Sequence, residues 1–356
     1  MKNKMLVLKN ELLYRLKELK FNNFFRYLKY SIKNCLRVLV FLLVIGFAVY
    51  ILPIMTMSRN DFSRTTNCGL IVTFAACSCY FIPLLQNNFK MNKRSIDIHY
   101  SLPIGRFALN NVKIITGLFE IIVSYSALYL VGFLIANSRF DIPNPEYYIP
   151  LYFSILALCI PIYLYNYFIV SRANTITDAV LLLIMNTFVL SFIFLALNEN
   201  MRLIREWFGK DFSEGFGIPF YAFIYKGNFF NNLILEKNRE YDYNLFMIDV
   251  YPYLLGLLGY FGILFASLTD KGESSQEVDN SIFGYKTMLP IYLIFFMLII
   301  TESATIYTIA LGPVFYYVLQ VVRYRKFRIP KKEYVILSIV TVISIIIGII
   351  CDMMVV

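Results

Sequence analysis

The chain has 356 residues, 59% of them hydrophobic and only 16% charged, against about 25% charged residues in soluble domains. That deficit excludes an ordinary water-soluble globule and points to lipid as the solvent of much of the surface. The net charge of +10 sits in blocks between apolar runs, a distribution that orients a membrane protein and gives no reason to expect nucleic acid as a partner.

The first 35 residues predict amphipathic helices at the membrane surface. Phe21, Phe24, Phe25, Leu28, Ile32 and Cys35 recur at spacings of three and four, and Arg26, Lys29, Lys33 and Arg37 occupy another face. Such a helix lies flat, its apolar side at the acyl boundary and its cations near anionic headgroups. The same pattern also suits a solvated helix packed on a partner protein. Met5, Leu8, Leu12, Leu16 and Leu19 repeat the theme, and the segment is too polar for the apolar region of a cleaved leader.

Nine apolar runs follow, at roughly 36–56, 67–86, 114–136, 149–170, 179–197, 250–268, 287–301, 304–322 and 334–351. A spanning helix needs about 20 mostly apolar residues. The seventh and eighth runs are continuous and are divided at Thr301, Glu302 and Ser303, whose polarity allows a tight turn; one long tilted helix there would invert the last span. With the N-terminus inside, the inner segments 1–37, 87–113, 171–178, 269–286 and 323–333 hold 24 of the 33 Lys and Arg residues. This bias predicts a cytoplasmic N-terminus and an external C-terminus. The outer stretch 198–249 is long for a bundle connection. A short amphipathic run with Trp207 breaks at Gly215, Gly217 and Pro219, and a second runs from Phe220 to Tyr225 and on to Phe229 and Phe230. Both suit helices that dip part-way into the outer leaflet.

Signatures of catalysis are missing. There is no GxxxxGK[ST] loop and no glycine-rich dinucleotide fingerprint, and neither a G-x-S-x-G elbow nor an HExxH pair. His99 is the only histidine, which argues against a histidine triad or a multi-histidine metal site within one chain. Cys35, Cys68, Cys77, Cys79, Cys159 and Cys351 all lie within or beside apolar runs, without redox or zinc spacing, and read as small apolar residues. The chain is expected to be no enzyme and to hold no cofactor or metal. Glu120 is the clearest ionisable residue inside a span, a position where charge is costly and often functional. The expectation is that it pairs with a cation or polar group on a neighbouring helix.

The inner loop 87–113 carries the most information. Ser95 is a good N-cap with Asp97 in the first turn, and Pro103 forces Leu102 out of the helical region. A short helix over 95–102, followed by a kinked re-entry at Arg106, is predicted. The phrase Ser101, Leu102, Pro103, Ile104, Gly105, Arg106 resembles the SLPxxR coupling segment of ABC-2-type permeases, and the layout resembles that family over most of the chain.

The resemblance implies an all-α, polytopic fold: interfacial helices over 1–35, a six-span exporter core over 36–268 with outer-leaflet re-entrant helices at 198–249, and about three extra C-terminal transmembrane helices over 269–356. Low-GC Gram-positive members carry such extra spans around a basic inner loop, as Arg323 to Arg328 would be here. It further implies a multi-pass protein of the bacterial plasma membrane, paired with a second permease as a homodimer and with two copies of a cytoplasmic ABC ATPase that holds the ATP and Mg. Ile96, Ile98, His99, Tyr100, Leu102 and Pro103 would then contact the ATPase, with Arg106 holding an acidic or backbone partner. The composition and extra spans are similar to those of exporters of amphipathic toxin peptides, and aromatic runs such as Tyr163 to Phe168 suit such cargo. An ion-coupled secondary transporter working through Glu120, and a non-transporting membrane sensor or immunity protein, are the competing readings.

Overall fold

The computed structural model describes residues 21–58, 67–102, 104–140, 142–200, 219–235, 250–269, 284–301 and 306–355. Every regular element among them is helical, as the absence of alternating apolar patterns requires. In chain order the helices are α1 (Phe21–Gly46), α2 (Asn67–Asn87), α3 (Lys93–Tyr100), α4 (Arg106–Arg139), α5 (Tyr148–Ser171), α6 (Ile176–Asn200), α7 (Pro219–Ile234), α8 (Tyr251–Thr269), α9 (Tyr285–Thr301), α10 (Ile306–Tyr324) and α11 (Lys331–Val355). Each of the nine expected apolar runs coincides with one of these helices. The turn expected at Glu302 and Ser303 lies outside the described residues, as do residues 1–20 and the run around Trp207.

Four stretches are long and apolar enough to cross a membrane: Asn23–Thr56, Cys68–Met91, Arg106–Arg139 and Pro145–Ser171. Ile176–Leu190 and Tyr251–Ser267 are shorter apolar helices. On this ground the chain is a membrane protein. Its exposed faces agree: Val40 and Val44 on α1, Phe47 just after it, and Leu254, Leu258 and Phe261 on α8 stand open, Val44 and Leu258 by 63% and 65%. Water would penalise such continuous apolar stripes, whereas lipid does not.

The helix that begins at Phe21 continues past residue 35. No Gly or Pro interrupts the chain between Phe21 and Gly46, so the amphipathic stretch runs without a break into the first span. The helix widens only at Phe47–Ile51, where a π-helical turn precedes Pro53. A π turn absorbs the carbonyl that a proline ring leaves without its i+4 donor.

The helices form two compact units, Met1–Ser171 with Phe223–Ser275, and Arg172–Ala222 with Gln276–Val356. In the first, α1 packs along α4, α2 lies against α4 and α5, and α5 packs closely along α8. The closeness of α5 and α8 depends on missing side chains. A Cβ on Gly259 would lie 2.6 Å from the Tyr165 Cα, and one on Gly256 would strike the backbone of Pro161. Small residues at such a crossing let two backbones meet, which is a principal source of helix association in lipid.

In the second unit α9 packs on α6 and α11. The Asp178 backbone N–H donates to the Thr175 hydroxyl (3.2 Å), which in turn donates to the Asp178 carboxylate (2.7 Å), capping α6. Tyr285 donates to the same carboxylate at 3.3 Å. Where α10 meets α11, Glu333 is buried and fully engaged: Arg323 lies 3.7 Å from it, and Gln320, Tyr316 and Tyr324 donate to its two oxygens at 3.0, 3.4 and 2.9 Å.

Candidate functional site

The connector between α2 and α4 is built by local capping. After α2 the chain makes a tight turn over Asn88–Met91. Asn92 is then extended (φ −123°, ψ 118°), and its side chain accepts the Arg94 N–H at 3.1 Å. The cap is therefore Asn92 and not Ser95, and the short helix is Lys93–Tyr100 rather than 95–102. Asparagine caps as well as serine, and it comes first along the chain. Asp97 consequently falls beyond the first turn, where its carbonyl accepts the Ser101 N–H at 3.0 Å and closes the helix. Pro103 lies outside the described residues. The re-entry occurs where expected: Gly105 is extended (φ −60°, ψ 146°) and α4 starts at Arg106.

The expected contact residues do not share one surface. Ile96 is buried. Tyr100, Leu102 and Ile104 pack on a cluster of Tyr27, Phe89, Leu109 and Val112, against which Phe24 and Leu28 of α1 also rest. The His99 ring lies on Phe89 with centroids 4.7 Å apart, and its Nδ1 pairs with the Ser95 carbonyl oxygen at 2.8 Å. The Arg106 guanidinium lies 4.9 Å over the Tyr100 ring. The outward stripe is Arg94, Asp97, Ile98 and Ser101, at the i, i+3, i+4, i+7 positions of one helix face. Within it Ile98 is an aliphatic residue 59% exposed. Thus Ile98 faces outward, Arg106 is exposed above Tyr100, and the other described residues of the set brace the helix.

Behind the helix lies a cavity of about 270 Å³, walled by Gln86, Phe89, Asn92, Ser95, His99 and Lys113 among others. Lys113 points its ammonium over the Phe89 ring at 5.5 Å. Partial burial holds the His99 imidazole below its ordinary pKa of 6.5; the Lys113 charge adds to this and the bond to Ser95 opposes it. The shift favours the uncharged imidazole.

Gln86 also faces inward. Its side-chain amide donates to Glu120 Oε1 at 2.9 Å, so Glu120 does pair with a polar group on a neighbouring helix. Glu120 is fully buried, and its Oε2 has no hydrogen-bond partner among the described residues. One turn before it, Gly117 leaves room for the Tyr163 ring; a Cβ there would overlap the phenol oxygen. That oxygen is also unpartnered among the described residues. Gln86, Lys113 and Phe89 escaped the sequence reading. For Gln86 and Lys113 the available signal was a polar residue at the end of an apolar run, which is rare in lipid and usually has a reason to be there; Phe89 offered no such signal.

Among the described residues no group of three His, Cys, Asp or Glu could hold a metal ion. No family model, curated protein or solved structure matches the chain.

Proposed function

We propose that this chain is the membrane-spanning permease subunit of an ATP-driven exporter of the ABC-2 type. It would work with a separate ATPase in an assembly of two permeases and two ATPases. The single observation that carries the reading is a short helix between two spans with a divided surface. Ile96 is buried, and His99 and Tyr100 brace the helix on α1, on α4 and on the turn that follows α2, while Arg94, Asp97, Ile98 and Ser101 face outward. A helix braced on one side and presenting an apolar residue on the other is suited to receive force from a second polypeptide. In this reading six spans form the core, α9 to α11 are the additional ones, and α3 faces the cytoplasm of a bacterial cell, as the distribution of Lys and Arg favours. Amphipathic peptides are the proposed cargo.

The test is substrate-stimulated ATP hydrolysis by the reconstituted complex. Ile98→Asp should uncouple hydrolysis from cargo while both subunits remain folded. Unchanged stimulation in that variant refutes the docking role. Leu102→Asp is a poor probe, because Leu102 packs on the permease's own core.

A second reading, ion-coupled transport, is favoured by the unpartnered Glu120 Oε2 at full burial. It requires that Glu120→Gln abolish transport with no ATPase present. Transport that needs ATP and survives Glu120→Gln removes this alternative.

A further inference from the structure

The cavity behind α3 has a chemistry that docking of an ATPase does not use. Its polar wall comes from Gln86, Asn92, Ser95, His99 and Lys113. No hydrogen bond or ion pair within the described residues engages the Lys113 ammonium, whose contact there is the face of Phe89. A lysine held over an aromatic ring beside a cavity is a cation awaiting an anion. Lys93 stands exposed on the adjoining helix and adds to the local positive potential. Asp97 belongs with Arg94 to the outward stripe, and Glu120, roughly two helical turns further along α4 and bonded to Gln86, attracts the Lys113 ammonium through space without forming an ion pair with it among the described residues.

The opening of the cavity identifies the source of the anion. Leu85 forms part of its wall and is 36% exposed. One turn along the same face of α2 stands Phe81, whose ring lies 6.3 Å from that of Phe41 on α1. Both rings are exposed. An apolar track thus leads from the cationic cavity along the membrane-facing surface of α1 and α2. Its volume is slightly below the ~300 Å³ at which small-molecule pockets begin, which suits a headgroup whose chains stay outside. We infer that this cavity seats the phosphate of an anionic phospholipid, with Lys113 against the phosphate, Ser95 and Asn92 available to hydrogen-bond it, and an acyl chain along Leu85, Phe81 and Phe41.

The proposal is tested on the full chain in detergent, titrated with phosphatidylglycerol, phosphatidylcholine or inorganic phosphate and followed by native mass spectrometry. Phosphatidylglycerol should bind at least about fivefold more tightly than phosphatidylcholine, the weight of one well-placed cation. Lys113→Gln should erase that preference and Lys113→Arg should keep it. In the wild-type protein, phosphatidylglycerol and not phosphatidylcholine should protect residues 92–100 from hydrogen exchange, a measurement that needs no variant. Equal binding of the two lipids, or a preference that survives Lys113→Gln, overturns the proposal. Displacement by inorganic phosphate at the lipid's own affinity overturns the lipid as ligand.

Discussion

Two buried glutamates in this protein live under opposite regimes. Glu333, where α10 meets α11, has both oxygens engaged, by Arg323, Gln320, Tyr316 and Tyr324. Glu120, within α4, is held by the single amide of Gln86, and its second oxygen has no hydrogen-bond partner among the described residues. A carboxylate surrounded by donors is committed to the fold, since nothing can be added to it. One with an open valence at full burial costs stability and can still accept a proton, a cation or a donor from cargo. The difference separates a structural clamp from a candidate site more sharply than burial alone, which is similar for both.

The largest effect should come from the clamp. Glu333→Ala removes the carboxylate on which Arg323, Gln320, Tyr316 and Tyr324 converge, and loss of one partner of a buried ion pair costs about 3–5 kcal/mol. Thermal unfolding of the detergent-solubilised protein should show it as a fall in midpoint and in monodisperse yield. The same truncation at Glu120 should cost less, about 1–3 kcal/mol, because only the Gln86 donor is orphaned. Replacing Glu120 and Gln86 together by leucine should restore most of that loss. A Glu120→Ala penalty equal to that of Glu333→Ala would erase the distinction.

A smaller effect is expected from acid at the connector. Burial lowers the His99 pKa from 6.5, so the unfolded connector binds a proton more readily than the folded one. Stability of this region is thus unaffected well above pH 6.5 and declines as the pH falls through that value toward the lower folded pKa. Protection factors of residues 92–100, taken relative to the intrinsic exchange rate at each pH, should fall between pH 7.5 and pH 5.5, and His99→Phe, which keeps a ring on Phe89, should remove that fall. The smallest change in stability, within about 0.5 kcal/mol, belongs to Ile98→Asp on the open stripe. If that variant unfolds the protein, Ile98 is part of the core and the division of α3 into a braced and a free side is wrong.

The sequence was most legible where one physical demand acted alone. Runs of about 20 apolar residues mark helices whatever their neighbours, and all nine have a helix. The existence of the short element between α2 and α4 was equally readable, because polar capping residues open it and the apolar run of α4 resumes soon after it. Its register was not: Asn92 and Ser95 are both good caps, and local propensity cannot rank them. Nor could the chain alone show which of Ile96, Ile98, Tyr100 and Leu102 face outward. That depends on Tyr27 of α1, remote in sequence, and on how Leu109 and Val112 of α4 fold back beside it. Glu120 announced itself by its charge, whereas Gln86 became visible only when α2 was laid against α4. The continuity of α1 through residue 35 was hidden for another reason. A change from amphipathic to fully apolar pattern looks like a boundary, yet helical hydrogen bonding crosses it freely when no Gly or Pro intervenes.

The glycines of α8 bear on how this protein can move. Helices that meet through side chains can slide past one another as rotamers adjust, the shear mode of conformational change. Between α5 and α8, at Gly256 and Gly259, main chain abuts main chain, and no deformable layer exists there to lubricate sliding. At this crossing the two helices are held as one stiff unit. Any alternation between inward and outward openings must find its joints in other contacts of the bundle.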